Sequence, residues 1–158
     1  MQAMDLAFQL LKDDLPDLFD YDMKQPDDIR LAVVGSRHYG NPQTYGHESA
    51  EAMYQTFAQK LDEWADENGT PNQIISGGAP GADTMSERWA EERDIPHKVH
   101  PAEWRKYGRR AGPLRNQFIH DDATHGVAFM HEGSKGTKHT VSLFHRSGKP
   151  MTVHAIEE

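Results

Sequence analysis

Apolar and polar positions along this chain form blocks that predict strands and helices in turn. Residues 29–35, IRLAVVG, are an apolar run with the length of a buried strand, and the run ends at a glycine. Residues 48–68 are rich in helix-forming residues and are closed by the Asn68-Gly69 pair. The first unit that the pattern predicts is therefore a strand followed by a helix.

The same pattern recurs through the rest of the chain. Further strands are predicted at residues 72–78, 96–100, 125–131 and 149–156, and further helices at residues 83–93, 109–121 and 137–147. Strands that are apolar throughout and are joined by helices are typical of a parallel sheet covered on both faces. We therefore expect an α/β fold with a doubly wound, mostly parallel five-stranded sheet and helices on both faces.

The first 28 residues differ from the rest of the chain in charge. They contain eight aspartates against two lysines, so they carry −6 of the formal charge of −8. Apolar residues near helical spacing, from Met4 to Leu11, predict one short helix before Pro16 and Pro26 interrupt the pattern. We divide the chain into an acidic extension, residues 1–28, and a nearly neutral domain, residues 29–158.

Composition argues against several kinds of site. The chain has no cysteine, which excludes disulfides, a thiolate nucleophile and a zinc–thiolate site. It has neither an apolar run of membrane-spanning length nor an export leader, so we expect no membrane partner and a cytoplasmic location. His97 and His100, three apart on a predicted strand, would point to opposite faces, and no helical metal-binding histidine pair occurs. We expect no metal and no cofactor.

Three predicted strand-to-helix connections carry unusual residues. Loop 1 is GSRHYG (residues 35–40), loop 2 is SGGAPGAD (residues 76–83) and loop 3 is HEGSKGTKHT (residues 131–140). In a parallel sheet, ligands bind beyond the carboxyl ends of the strands, at the point where the strand order reverses. We expect the three loops to meet at that edge.

Loops 2 and 3 have the composition of an anion site. Glycine lets a ligand approach the backbone closely, and a helix N-terminus offers unpaired N–H groups at the positive end of its dipole. A tight turn that needs glycine only for packing explains one such loop equally well, but two in one chain favour the anion site. Neither loop matches a Walker motif or the G-x-G-x-x-G fingerprint, which disfavours nucleoside triphosphatases and dinucleotide-dependent dehydrogenases.

Four motifs together resemble a known family. VVGSR, SGGAPGAD followed by ERWA, EWRKYGRRAGPLRN and GSKGTKHTV occur in the order of the SLOG superfamily, which includes DNA-processing protein A, the Lonely Guy phosphoribohydrolases and YspA/YpsA-type proteins. The chain is most similar to the small YspA-like branch, over roughly residues 29–154. The resemblance implies a Rossmann-like fold that binds a nucleotide or nucleotide derivative, with phosphate on the glycine-rich loops.

The expected ligand-binding residues lie in the three loops and in the segment before the fourth strand. They are Gly35, Ser36, Arg37, Ser76, Gly77, Gly78, Ala79, Gly81, Asp83, Trp104, Arg115, Asn116, Gly133, Ser134, Gly136 and Thr137. Arg37 is expected to bind phosphate as a planar fork, the alternative being a salt bridge within the loop. The resemblance puts Arg115 and Asn116 near the pocket, whereas the alternative is an arginine on a solvated helix face.

Two of these residues have open assignments. Trp104 begins a segment rich in arginine and lysine that ends at Arg110; its ring suits stacking on a base or ribose, and equally suits covering the core. Asp83 is expected to cap N–H groups at the start of its helix, in preference to binding a ribose hydroxyl. Ser76 is the other candidate for capping loop 2.

The resemblance leaves catalysis open. In the Lonely Guy relatives an arginine and a glutamate cleave the glycosidic bond; Arg115 matches the arginine, but Thr140 occupies the position of the glutamate. Threonine can neither stabilise a developing oxocarbenium charge nor act as a base at neutral pH. Glu87 and Glu132 are the carboxylates considered as substitutes, and a solvated surface position explains each of them equally well.

Three functional classes follow from these expectations. The favoured class is a sensor or sequestering module for a nucleotide-derived small molecule, such as ADP-ribose or a mononucleotide. The alternatives are a nucleoside-phosphate N-glycosidase and a single-stranded nucleic-acid binder; the acidic extension and the lack of a long basic groove count against the latter. Since some SLOG proteins self-associate, a homo-oligomer is a further expectation from the resemblance.

Overall fold

Five parallel strands form the centre of the molecule, in the order β3-β2-β1-β4-β5. The strands are β1 Arg30–Gly35, β2 Gln73–Ser76, β3 His97–Val99, β4 His125–Met130 and β5 Met151–Ala155. The computed structural model describes residues 28–156, so the short helix predicted in the acidic extension lies outside the described residues. The sheet confirms the predicted Rossmann-like, doubly wound α/β fold, with all of its strand pairs parallel.

Helices connect the strands and cover the sheet. They are α1 Pro42–Tyr45, α2 His47–Asn68, α3 Ala82–Glu92, α4 Trp104–Tyr107, a 3₁₀ turn Gly108–Arg110, α5 Ala111–Asp122 and α6 Lys135–Ser147. The four helices predicted from periodicity correspond to α2, α3, α5 and α6. The single-turn helices α1 and α4 were not predicted because one turn is too short to show a repeat. No helix in the described part of the chain is both long and apolar enough to span a bilayer.

Alternate residues of β1 face two separate cores. Leu31 and Val33 pack in a core with α2 and α3, whereas Ala32 and Val34 pack in a core with α5 and α6. Helices therefore lie on both faces of the sheet, as predicted. Because both faces of the central strand are buried, its sequence is apolar throughout instead of alternating.

The larger core fixes α2 and α3 on one face of the sheet. Phe57 of α2 is fully buried, and its ring centroid lies 4.6 Å from that of Phe129 on β4. At the end of α3, Nε of Arg93 lies 2.9 Å from Oδ1 of Asp62 on α2. At the start of α3, Ala82 is fully buried in the same core, which holds loop 2 against the sheet.

The edge strand β3 is shorter than predicted. It ends at Val99, so His100 lies beyond the strand, and its Nε2 is 2.9 Å from Oδ2 of Asp122. The prediction that His97 and His100 belong to one strand was therefore wrong for His100. Both imidazoles have protein partners, because Nε2 of His97 lies 3.1 Å from Oγ of Ser76.

Candidate functional site

A cavity of about 720 Å³ opens at the carboxyl ends of the strands. It lies where the strand order reverses, since β2 and β3 are on one side of β1 and β4 and β5 on the other. Residues of loops 1, 2 and 3 line it, together with residues of α5 and the segment that follows β3. Its volume is in the usual range for small-molecule sites.

All of the predicted ligand-binding residues line this cavity except Ser76 and Gly81. Ser76 is fully buried and its hydroxyl is beside His97, so it does not cap loop 2. Gly81 has a φ of +84°, and a Cβ there would collide with the backbone of Ser36 and Arg37. Gly81 therefore permits the contact between loops 1 and 2, in which Ala82 N donates to Ser36 O at 3.1 Å.

Asp83 ties loop 2 to the start of α3. Its Oδ2 accepts a hydrogen bond from the N–H of Ala79 at 3.0 Å, and the backbone of Gly77 also stabilises its charged form. Burial raises the pKa of this carboxyl to about 6, against the opposing effects of those backbone groups and of Arg115. Asp83 thus bonds N–H groups of loop residues that precede α3, and it does not cap the helix as predicted, since the N-cap residue is Gly81 and no side chain caps this end. Its side chain also lines the cavity.

Loop 3 presents donors that the described protein does not use. Ser134 is the N-cap residue of α6, yet its hydroxyl caps no N–H group and is buried without a hydrogen-bond partner among the described residues. In the described chain, the N–H groups of Gly136 and Thr137, in the first turn of α6, also have no acceptor. Leaving the buried Ser134 hydroxyl unsatisfied costs roughly 1–3 kcal/mol. Together with the two N–H groups at the positive end of the helix dipole, it forms a cluster of donors that could bind an anion.

Arg115 connects loops 2 and 3. Its Nη1 donates to Gly77 O at 3.0 Å, and its Nε donates to Oδ1 of Asn116 at 3.1 Å. The buried Asn116 in turn donates through Nδ2 to Gly136 O at 3.4 Å, and the same Nδ2 is 3.1 Å from Nδ1 of His139. Asn116 therefore positions the guanidinium relative to α6, which excludes the alternative of an arginine on a solvated face.

The wall of the cavity is rich in positive charge. Arg37, Arg115 and Lys135 line it, and Asp83 is the one carboxylate among its described lining residues. Burial lowers the pKa of Arg115, and the charge of Arg37 acts in the same direction while Asp83 opposes both. The exposed Arg37 has no ion pair within the described part of the chain, so the predicted alternative of a loop salt bridge is not found there.

Trp104 stands at the rim of the cavity. Its side chain lines the cavity and is 59% exposed, so it does not cover the core. The basic residues that follow it are exposed and do not line the cavity; they are Arg105, Lys106, Arg109 and Arg110. The indole is thus available to a ligand in the cavity, whereas the basic residues face solvent.

Several lining residues were not among the predicted ones. They are Val34, His38, Pro80, Pro101, Ala102, Ile119, His131, Lys135 and Thr140. Lys135 lies inside loop 3, and it could have been predicted as a binding residue because it is a cation next to a glycine. Pro101 and Ala102 lie in the segment between β3 and α4, which has no glycine and so did not resemble a binding loop. Val34 and Ile119 follow the apolar pattern of ordinary core residues, which gives no sign of a site.

The cavity does not supply the glutamate of the Lonely Guy relatives. Thr140 is buried, and its Oγ1 donates to Gly136 O at 3.4 Å. Neither Glu87 nor Glu132 lines the cavity, so neither is in position to substitute for that glutamate. Among the described residues, Asp83 is the carboxylate that a ligand in the cavity would meet.

Comparison with known proteins gives two matches. The family model YAcAr, described as the YspA, cpYpsA-related SLOG family, matches residues 29–107. Gene 61 protein of Mycobacterium phage D29 is 33% identical over an alignment of 84 residues that covers 49% of this chain and 67% of the phage protein. The family match covers loops 1 and 2 and the first part of the Trp104 segment, up to residue 107, whereas Arg115 and loop 3 lie beyond it.

Proposed function

We propose that this chain, which belongs to the YspA, cpYpsA-related SLOG family, binds a nucleotide or nucleotide-derived small molecule as a sensor or sequestering module. SLOG membership is consistent with a nucleotide-related function. The observation that carries the proposal is the set of unused donors at the start of α6, inside a cavity with three lining cations. A phosphate group is the ligand chemistry that satisfies both features.

The proposal assigns the phosphate to loop 3. Its oxygens would accept from the hydroxyl of Ser134 and from the N–H groups of Gly136 and Thr137, at the positive end of the α6 dipole. Loop 2 is a poorer anion site than its glycines alone predict, because the Asp83 carboxylate already accepts from its backbone. The two glycine-rich loops therefore have different roles in this proposal.

The rest of the ligand would occupy the remaining cavity. A volume of about 720 Å³ exceeds what a phosphate needs, and the exposed Trp104 ring at the rim can stack on a base. Arg37 and Arg115 would balance the phosphate charge, with Asn116 holding Arg115 in place. These contacts describe static recognition and do not require a reaction.

The test is ligand-dependent stabilisation of the full chain and of Gly136→Val. A thermal-shift panel of inorganic phosphate, ribose 5-phosphate, AMP and ADP-ribose should raise the Tm of the parent for at least one organic phosphate. A Cβ at Gly136 meets no protein atom within 4 Å, so valine should leave the fold intact and occupy space beside the phosphate. We expect Gly136→Val to lose the ligand-induced shift with little change in its own Tm.

Gly136 is a better choice than Gly78 for this test. Gly78 has a φ of +75°, and a Cβ there would lie 2.7 Å from Cγ1 of Val99, so its replacement would strain loop 2 regardless of any ligand. The control is Lys138→Val, which puts the same side chain on α6 at an exposed residue that does not line the cavity. If the ligand raised the Tm of Gly136→Val as much as that of the parent, the assignment of the phosphate to loop 3 would be wrong. If no nucleotide raised the Tm of the parent, the proposed function itself would be refuted.

A second candidate is a nucleoside-phosphate N-glycosidase. The observation in its favour is the Asp83 carboxyl, which lines the cavity near Arg115 and has a pKa raised to about 6 by burial. Water would add to C1′ of the sugar as the bond from C1′ to the base nitrogen breaks, and the base would leave with a proton. Chromatographic detection of free adenine from AMP distinguishes this candidate from binding alone.

A third candidate is a single-stranded nucleic-acid binder. The exposed Trp104 and the four exposed basic residues that follow it favour this function. It predicts oligonucleotide binding that weakens steeply with salt and depends on Arg105 and Arg109. Oligonucleotide affinity that does not change in Arg105→Ala/Arg109→Ala would exclude it.

A further inference from the structure

Asp83 is an unexpected group in the wall of a phosphate site. Its side chain is almost completely buried, it lines the cavity, and its negative charge would repel a phosphate placed beside it. The carboxylate is also held in place, since Oδ2 accepts from Ala79 N at 3.0 Å and the backbone of Gly77 also hydrogen-bonds to the carboxyl group. A fixed acceptor at this place needs a ligand group that donates.

The carboxylate keeps acceptor capacity that the described protein does not use. An ionised carboxyl has about four lone-pair sites, and its neighbours here are the backbone groups of Ala79 and Gly77. Arg115 influences it through space, but the guanidinium donates to Gly77 O and to Asn116. No ion pair among the described residues includes Asp83.

Sugar hydroxyls are the donors that suit such an acceptor. A neutral O–H group brings no charge that repels Arg37 or Arg115, and a ribose diol offers two donors close together. A hydrogen bond from a hydroxyl to an ionised carboxylate is stronger than one between neutral groups. A sugar phosphate therefore matches both parts of the cavity. Its phosphate can accept from the donors of loop 3, and its hydroxyl groups can donate to the Asp83 carboxylate in loop 2.

We infer that Asp83 binds the hydroxyl groups of the ligand's sugar, so that the site selects ribose phosphates over 2-deoxyribose phosphates. This inference rests on the proposed function, because it requires a phosphate-bearing sugar in the cavity. It gives Asp83 two roles, holding loop 2 through backbone N–H groups and discriminating between ligands.

The test compares matched ligands on the full chain. Isothermal titration at pH 7.5 with ribose 5-phosphate against 2-deoxyribose 5-phosphate, and with AMP against dAMP, gives a ratio of affinities for each pair. We expect the parent to bind the ribose form about ten- to a hundred-fold more tightly, the usual size of a lost hydrogen bond to a charged group. In Asp83→Asn we expect the ratio to fall towards one, mainly through weaker binding of the ribose form.

Thr84→Ala is the matched control for a purely structural role of Asp83. Thr84 belongs to the same first turn of α3, and its Oγ1 donates to Ala79 O at 3.3 Å, but it does not line the cavity. This variant therefore removes a bond to the same loop residue without removing a cavity group. We expect Thr84→Ala to have the same ribose-to-deoxyribose affinity ratio as the parent. If this ratio fell in Thr84→Ala as far as in Asp83→Asn, the inference would be overturned.

A measurement on the parent alone covers the case in which Asp83→Asn does not fold. Because the Asp83 pKa is about 6, lowering the pH from 7.5 to 5 neutralises its carboxyl and should reduce the ribose-to-deoxyribose ratio. The other charged or titratable groups at this place are Arg37, His38, Glu87, Arg115, His131 and Lys135. Their titration, and that of the ligand phosphate, affects the affinities for both ligands of a pair. The ratio of the two affinities therefore reports on the group that contacts the 2-hydroxyl of the sugar, in which the ligands differ.

The outcomes separate this inference from the proposed function. Equal affinity for the two members of each pair in the parent, or a ratio that does not change between pH 7.5 and 5, would overturn the role of Asp83 and leave phosphate binding intact. Failure of every sugar phosphate to bind would instead refute the proposed function.

Discussion

At the scale of single residues, the site combines groups that the folded protein does not satisfy on its own. The Ser134 hydroxyl is buried without a partner in the described chain, and the Asp83 carboxyl is ionised at neutral pH in a place that disfavours its charge. Functional sites often keep such groups at the expense of stability, because the ligand provides what the protein lacks. For Asp83, this cost in stability can be measured on the ligand-free protein.

We predict that Asp83 makes the ligand-free protein less stable as the pH rises from about 4 to about 6. Its folded pKa of about 6 lies above the ordinary value of 3.8, so the folded state binds the proton more tightly than the unfolded state does. The free energy of unfolding contributed by this group is therefore highest below the unfolded pKa and is lost as the pH rises through 6.

Urea unfolding of the parent and of Asp83→Asn between pH 4.5 and 8 measures this effect. The stability of the parent relative to the variant should fall with rising pH by an amount on the order of 2 kcal/mol, and should be constant above pH 7. Differencing the two proteins cancels the titration of histidines and other carboxyls. A difference that does not depend on pH would contradict the raised pKa of Asp83.

The sequence could predict the site at this scale as a set of residues, but not the task of each one. The glycines and Arg37 stand out beside strands that are otherwise apolar, which is why most of the predicted residues line one cavity. The contact of Asn116 with Arg115 and Gly136, and the burial of the Ser134 hydroxyl, depend on residues far apart in the chain. No local pattern contains that information.

At the scale of elements, the site depends on how firmly the helices are packed on the sheet. α3 carries loop 2 and Asp83 at its start, and it packs beside α2 in the larger core. Phe57 of α2 is fully buried against Phe129, two residues before loop 3 in the chain. Stability at the core is therefore coupled to the geometry of the loops, although Phe57 does not line the cavity.

We predict that Phe57→Ala lowers the free energy of unfolding by about 3–5 kcal/mol, because it removes a large buried ring and leaves a cavity. Gln59→Ala, on the exposed side of the same helix, should change it by less than about 0.5 kcal/mol. Urea unfolding at constant pH measures both. A loss below about 1 kcal/mol in Phe57→Ala would mean that α2 does not pack on β4 as described.

At the scale of the whole molecule, charge is distributed unevenly. The chain carries a formal charge of −8, of which the acidic extension accounts for −6, while three cations line the cavity of the folded domain. Long-range repulsion from a negatively charged segment slows the approach of an anionic ligand. The division of the chain at residue 28 is itself still a prediction.

We predict that a chain lacking residues 1–27 folds with a Tm close to the parent's, because the cores of the described domain begin at Ile29 and β1. Its association with an anionic ligand should be faster than the parent's at low ionic strength, and the two rates should converge at high salt. Calorimetry and stopped-flow binding check the two parts. A truncated chain that does not unfold cooperatively would refute the domain boundary.

The sequence by itself determined the strands, the four long helices and the loops that carry the chemistry, because burial on two faces and helical periodicity leave local patterns. Only the tertiary structure decided that β4 lies beside β1, which brings loop 3 next to loop 1. It also decided that the Asp83 carboxylate accepts a hydrogen bond from the backbone of loop 2, whereas the Ser134 hydroxyl of loop 3 has no partner among the described residues. Strand order and hydrogen-bond partners depend on contacts between distant segments, and those contacts form only when the helices pack on the sheet.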